Sequence, residues 1–307
     1  MRTPDKVVVG TRGSRLALAQ TELIVSQLRK LHPGTTFEAR TIRTSGDKRP
    51  TETLLSREAI GFFTKELEES LLAGEIDLAV HSLKDLPILI PDGLEIAAVT
   101  LRENPQDVLV TKEGRTLAAL PPGSRIGTGS PRRRAQLLNF NASFNVVPIR
   151  GNIETRIGKI ASEGCDAIVL AGCGLARCGI GEKRQPIPFQ VMLPAPGQGA
   201  LAVEIRRGDE AIRTVVSRLD HPDSRHATAA ERAFHASLGG GCQLPLGALG
   251  TIRGRTLILE GVLLDPDGKR KIRLSGDGPK ENPEAIGEAL GQRLKREGAE
   301  ELLHADG

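Results

Sequence analysis

A chain of 307 residues, 39% hydrophobic and 26% charged, has the size for two or three domains and the composition of a folded globular protein, which excludes a disordered or fibrous chain. A formal net charge of +4, with seven Phe and no Trp or Tyr, gives little for nucleic acid to bind or stack on. No segment approaches about eighteen unbroken apolar residues, and "MRTPDKVVVG" has no apolar run behind a basic end, so the expectation is a soluble cytoplasmic protein with no membrane partner.

Strand-like and helix-like segments alternate along the first two hundred residues. "KVVVG" precedes "RLALAQTELIVSQLRKL", whose Leu16, Ala19, Leu23, Ile24, Leu28 and Leu31 form one apolar face, and "TFEARTIRT" is extended. After a polar loop to about Gly61 come a helix in "FFTKELEESLLAG" and the strand "IDLAVHS". A second series holds "DVLV", "RIGTGS", the helix "PRRRAQLL", "NVVPI", the helix "IETRIGKIASEG" and "DAIVLA". Two such series predict two α/β domains with parallel or mixed sheets. "LPAPGQGALAVEIR" is expected to return the chain to the first, with a strand at Leu201 to Ile205. The expected division is 1–99 with 200–219, then 100–199, then a small α+β domain over 220–307. That last domain has a helix ending at glycines, three strand-like runs and a final helix, "PEAIGEALGQRLKREGAEELL".

The cysteines Cys165, Cys173, Cys178 and Cys242 have neither disulfide-framework nor zinc-ligand spacing, so no metal is expected. Thirty arginines stand against twelve lysines. The planar guanidinium fork suits carboxylates and phosphates, so either an anionic ligand or a codon-composition bias accounts for the excess. Placement favours a ligand. In "GTGSPRRRAQLL", Ser130 is the N-cap and Pro131 the first helical residue, which puts Arg132, Arg133 and Arg134 where cations oppose the helix dipole unless an anion sits there too. Arg150 and Arg156 in "IRGNIETR", Arg177 in "GLARCG", and Arg12 with Ser14 in "TRGSRLAL" also follow strands, at the ends where open α/β sheets gather ligands. "AVHSLKDLP" supplies a carboxylate, Asp85, at another strand end, able to stabilise a cation formed during reaction; a turn aspartate before proline is the alternative. His81 reads as structural. In "SLGGGCQLP", Cys242 follows three glycines that leave room near its sulfur, although a free cysteine is also an ordinary small hydrophobe.

Together "TRGSRLAL", "FTKELE", "DLAVHSLKDLP", "GTGSPRRRAQL", "RGNIETR", "PAPGQGALAVE", "ERAF" and "GGGCQLPLG" resemble the hydroxymethylbilane synthase (porphobilinogen deaminase) family over almost the whole chain, in order and spacing. The resemblance implies two domains similar to those of solute-binding proteins, a cleft between them, and a small third domain. It implies a transferase that joins four porphobilinogen units to a dipyrromethane primer held by Cys242 through a thioether, then releases a linear tetrapyrrole by hydrolysis. Asp85 would stabilise positive charge on the pyrrole nitrogens as ammonia leaves. Arg12, Arg132, Arg133, Arg150, Arg156 and Arg177 would hold the acetate and propionate groups, about twelve carboxylates on a full-length chain. Ser14, Ser82, Lys84, Thr128 and Ser130 would add contacts, supported by Gln20, Phe63, Gln198 and Gly199. The family implies a monomer.

Four positions depart from the family pattern. Gly129 and Pro131 replace a serine and a leucine before the paired arginines, Ile60 stands where a lysine is common, and Gly239 replaces an acidic residue three before the cysteine. The competing reading is a non-catalytic two-domain binding protein for an anionic small molecule, which leaves Cys242 and Asp85 without a task. A nucleic-acid binder would need its basic residues on one exposed face.

Overall fold

The computed structural model describes residues 4–44, 64–181, 184–239 and 244–303. β1 (Lys6–Arg12) leads into α1 (Arg15–Leu31), then β2 (Thr36–Ile42), α2 (Lys65–Leu72), β3 (Leu78–Ser82) and β4 (Leu94–Val99). Next come β5 (Asp107–Thr111), β6 (Arg125–Gly127), α3 (Pro131–Phe140), β7 (Asn145–Val147), α4 (Ile153–Ser162), β8 (Ala167–Ala171), α5 (Gly172–Arg177) and β9 (Arg184–Pro186). The remainder forms β10 (Leu201–Arg206), α6 (Glu210–Val216), α7 (Pro222–Ser237), β11 (Leu246–Arg253), β12 (Thr256–Leu264), β13 (Lys271–Pro279), α8 (Pro283–Leu294) and α9 (Glu300–Leu303). The single final helix expected from periodicity is interrupted, because Gly298 takes φ 93° between α8 and α9.

The chain forms two compact units, Met1–Glu103 with Gly199–Arg225, and Asn104–Gln198 with His226–Gly307. In the first, five strands lie in the order β2-β1-β3-β10-β4. β1 runs parallel to β2 and β3, while the returning β10 is antiparallel to β3 and β4. Period-two alternation sorts its side chains. Val7, Val9, Leu78, Val80, Val203 and Ile205 pack under the Ile24, Val25 and Leu28 stripe of α1, while Ala79 and Leu94 meet Leu67 and Leu71 of α2 on the other face. Each such buried Val, Leu or Ile side chain contributes about 1.5–3 kcal/mol of transfer free energy.

The second unit repeats the pattern in its first sheet, ordered β7-β6-β8-β5-β9, with β6 parallel to β7 and β8, and β5 antiparallel to β8 and β9. Its other sheet, β11-β12-β13, is antiparallel, and Ala230 and Phe234 of α7 with Ile286 and Leu290 of α8 cover it. The two sheets of this unit are tied by Ala135 and Leu193 packing with Val262 and Leu264. The architecture is thus α/β in two five-stranded mixed sheets, with a smaller α+β portion at the C-terminal end.

Candidate active site

Parallel strands that share a direction end at one edge, and that edge collects the expected residues of each unit. In the first unit Arg12 closes β1 and Ser14 caps α1, its Oγ accepting from Ala17 N at 3.3 Å. β3 ends at Ser82, whose Oγ accepts from Nε2 of the buried Gln20 at 2.8 Å. A single 3-10 turn, Leu83–Asp85, follows. Leu83 and Leu86 sink into an apolar cluster with Val99, Ala200 and Ala202, and Leu83 N donates to Ala200 O at 3.1 Å. With both leucines anchored, Lys84 is left half-buried and Asp85 exposed at the strand edge. Gly199 begins the return to this sheet at φ +96°, and a Cβ there would stand 2.4 Å from Glu103 O, so only glycine suits the position.

In the second unit Thr128 and Ser130 follow β6. Thr128 Oγ1 accepts from Ser130 N at 3.2 Å, and Ser130 Oγ accepts from Arg133 N at 3.4 Å, capping α3 as expected. The departure at Gly129 has a local cause. A Cβ at that residue would lie 2.7 Å from Ile149 O, so the chain leaving β6 passes against the backbone that leads to Arg150. Arg150 lies three residues beyond β7, and Arg156 in α4 donates from Nε to Gly151 O at 2.7 Å. Arg177 does not directly follow its strand, as the sequence suggested; α5 intervenes, and Arg177 is its last residue.

Arg132 and Arg133 are 4% and 6% exposed, and both meet a carboxylate of the protein itself. Arg132 Nη1 donates to Asp107 Oδ2 at 2.7 Å and to Leu193 O at 2.7 Å. Arg133 donates to Asp107 Oδ1 from Nε at 3.2 Å and from Nη2 at 2.8 Å, and from Nη1 to Val169 O. Gln198 Nε2 adds a bond to Asp107 Oδ1 at 2.9 Å, and its neighbour Gly197 donates to Glu231 Oε2 on α7. Burial alone would raise the Asp107 carboxyl, but the charges and hydrogen bonds of Arg132 and Arg133 outweigh it and hold the group well below the usual carboxylate range. Two guanidiniums against one carboxylate leave this cluster with one excess positive charge, the balance an acidic ligand group would neutralise.

Asp107 was absent from the residues expected by sequence reasoning. It opens "DVLV" on an antiparallel strand, opposite Ala171 at the end of β8, so its edge position follows from pairing across the sheet. The available signal was a carboxylate at the head of an otherwise apolar strand. Cys242 and Phe63, with Ile60, Gly61, Gly240 and Gly241, lie outside the described residues; α7 ends at Ser237, five residues before Cys242. Among the described residues no helix is long and apolar enough to cross a membrane.

Residues 7–214 match the family model of the porphobilinogen deaminase dipyromethane cofactor binding domain, and residues 226–296 that of the porphobilinogen deaminase C-terminal domain. The chain is 47% identical to porphobilinogen deaminase of Desulforudis audaxviator over 97% of both chains, and 47% identical to that of Pelotomaculum thermopropionicum over 97% of this chain and 96% of the relative. Porphobilinogen deaminase of Geobacillus kaustophilus is 46% identical with the same coverage. With a cofactor-binding-domain match across two thirds of its length, and relatives aligned end to end, the chain belongs to the porphobilinogen deaminase family.

Proposed function

We propose that this chain is a hydroxymethylbilane synthase, a transferase of tetrapyrrole biosynthesis. It condenses four porphobilinogen molecules onto a covalent dipyrromethane and releases the linear tetrapyrrole with water. The observation that carries this reading is the match to the cofactor-binding domain across 7–214, laid over strand edges that collect Asp85, Lys84 and the arginines.

The residues suit an acidic, covalently anchored primer: the Asp107 cluster has a positive charge to spare, Arg150 lies three residues beyond β7, and Arg156 and Arg177 sit on the helices that follow β7 and β8. Cys242 is the proposed attachment point. When bound, the dipyrromethane would supply the terminal pyrrole carbon that takes the first substrate, each later one joining the ring added before it. In each addition the aminomethyl C–N bond of porphobilinogen breaks, a C–C bond forms, the ring carbon loses its proton and ammonia departs. Asp85 stabilises the positive charge that the reacting pyrrole carries as ammonia leaves, an interaction stronger in the transition state than in the ground state. Arg12, Ser14, Ser82, Lys84, Thr128, Ser130, Arg132, Arg133, Arg150, Arg156 and Arg177 hold acetate and propionate groups, each charge-assisted bond contributing about 1.5–3 kcal/mol. Gln20 supports Ser82 directly, and Gln198 supports the Asp107 cluster. The division at 1–99 with 200–219, 100–199 and 220–307, a monomeric state and a cytoplasmic location go with this reading.

Purified protein given porphobilinogen is expected to release one ammonia per molecule consumed and to yield the linear tetrapyrrole hydroxymethylbilane. Saturable binding of porphobilinogen with no ammonia release would favour the binding-protein reading instead.

A further inference from the structure

Directly behind the Ser82–Asp85 turn, two ionisable side chains pair in the core of the first unit and a third lies within electrostatic reach of them. His81 is 5% exposed and Glu204 fully buried, with the His81 ring Nε2 2.9 Å from Glu204 Oε2. Both lie on the α2 side of the sheet: His81 shares a face with Ala79, and Glu204 alternates with Val203 and Ile205, which pack on the other side. Glu68 reaches them from α2, close enough to interact electrostatically with both.

The hydrogen-bond account of this cluster does not close. Glu204 Oε1 is buried without a partner, and the buried Glu68 Oε1 has at most the Thr64 hydroxyl as a neighbouring donor. Ionised carboxylate oxygens only accept, so the Thr64 hydroxyl is the one donor among the three. A buried acceptor left unmatched is costly, and more so when it is charged. A proton on Glu68 adds the missing donor and removes one of two interacting like charges. Burial raises the Glu68 carboxyl above its ordinary value; Glu204 from β10 and Glu69 on its own helix push the same way, against Thr64 and His81.

We propose that protonated Glu68, with the Glu204–His81 pair, is a positioning cluster that fixes the exit of β3 and so the placement of Lys84 and Asp85. Its effect on rate rests on the transferase reading above, while the proton is a property of the fold. Ionisation of Glu68 adds a negative charge that interacts with Glu204, loosens the β3 exit and lowers kcat through Asp85, while KM changes less, because Ser82 and Lys84 are the only assigned carboxylate-binding residues at that exit. The stability sign follows from the raised carboxyl. The unfolded chain releases this proton near its ordinary value of about 4.3 while the folded chain keeps it, so stability falls as pH rises from there through the folded value.

Glu68→Gln keeps the size and supplies a permanent, uncharged donor. Its denaturation midpoint is expected to fall less steeply than that of wild type over that pH window, and the alkaline limb of kcat to move up by at least about one pH unit with KM within about twofold. An unaltered stability slope would overturn the proton on Glu68, and an altered slope with an unmoved kcat limb would overturn the positioning role. Infrared spectra of the neutral wild-type protein with carbon-13 glutamate are expected to show a protonated carboxyl band. Its absence overturns the proposal even where the variant does not fold. A wild-type protein that releases no ammonia from porphobilinogen defeats the functional reading, whereas the stability slope and infrared band still decide the proton.

Discussion

Asp85→Asn is expected to lower turnover of porphobilinogen by roughly 100- to 1,000-fold, the range seen when one preorganised electrostatic partner of a transition state is removed. Leu83 and Leu86 hold the 3-10 turn in the apolar cluster beneath it, and Asp85 itself is exposed at the strand edge. The amide fills the same space and removes the charge that would face the reacting pyrrole. Folding is therefore expected to persist, with a thermal midpoint close to wild type, while ammonia release collapses. Turnover within about threefold of wild type in a folded variant would remove Asp85 from the mechanism.

Asp107→Ala is expected to act on the fold, destabilising the protein by about 3–5 kcal/mol in a urea titration at neutral pH. The substitution leaves two guanidiniums buried at 4% and 6% exposure without the carboxylate that accepts from both. Breaking such a cluster from one side costs more than the pair is worth, because uncompensated charge stays in the core. The pH dependence has a definite sign. The folded Asp107 carboxyl lies below its unfolded value, so its contribution is complete above about pH 4 and is lost as pH falls toward the folded value. In Asp107→Ala that part of the acid-side loss should vanish. A variant within about 1 kcal/mol of wild type would mean that the cluster contributes little to stability.

Local signals read from the sequence carried far. Ser14 and Ser130 cap the helices that their positions suggested, Pro131 begins α3, and "LAVEIR" returns as β10 to the first sheet. These features depend on residues within one helical turn or on period-two alternation, so neighbours in sequence encode them. The buried charges were not legible, because their partners are distant: Asp107 meets residues 25 and 26 positions away, and Glu204 meets His81 across 123. The arginine excess, open between ligand and codon bias, has a third use. Arg206 binds Asp77 and Asp209, Arg225 binds Asp220 with the carbonyls of Ile96 and Ala97, and Arg273 binds Glu260. Forked donors thus brace sheet edges and helix starts, besides the carboxylate-binding role proposed for others.

Whether the enzyme carries its own primer is decided by the intact mass of the purified protein beside Cys242→Ala. Wild type is expected to exceed its chain mass by two linked pyrroles, either as purified or after incubation with porphobilinogen, and the variant to stay at chain mass under both conditions. A wild-type protein that remains at bare chain mass after porphobilinogen, or an adduct that persists in Cys242→Ala, would contradict a primer carried on Cys242.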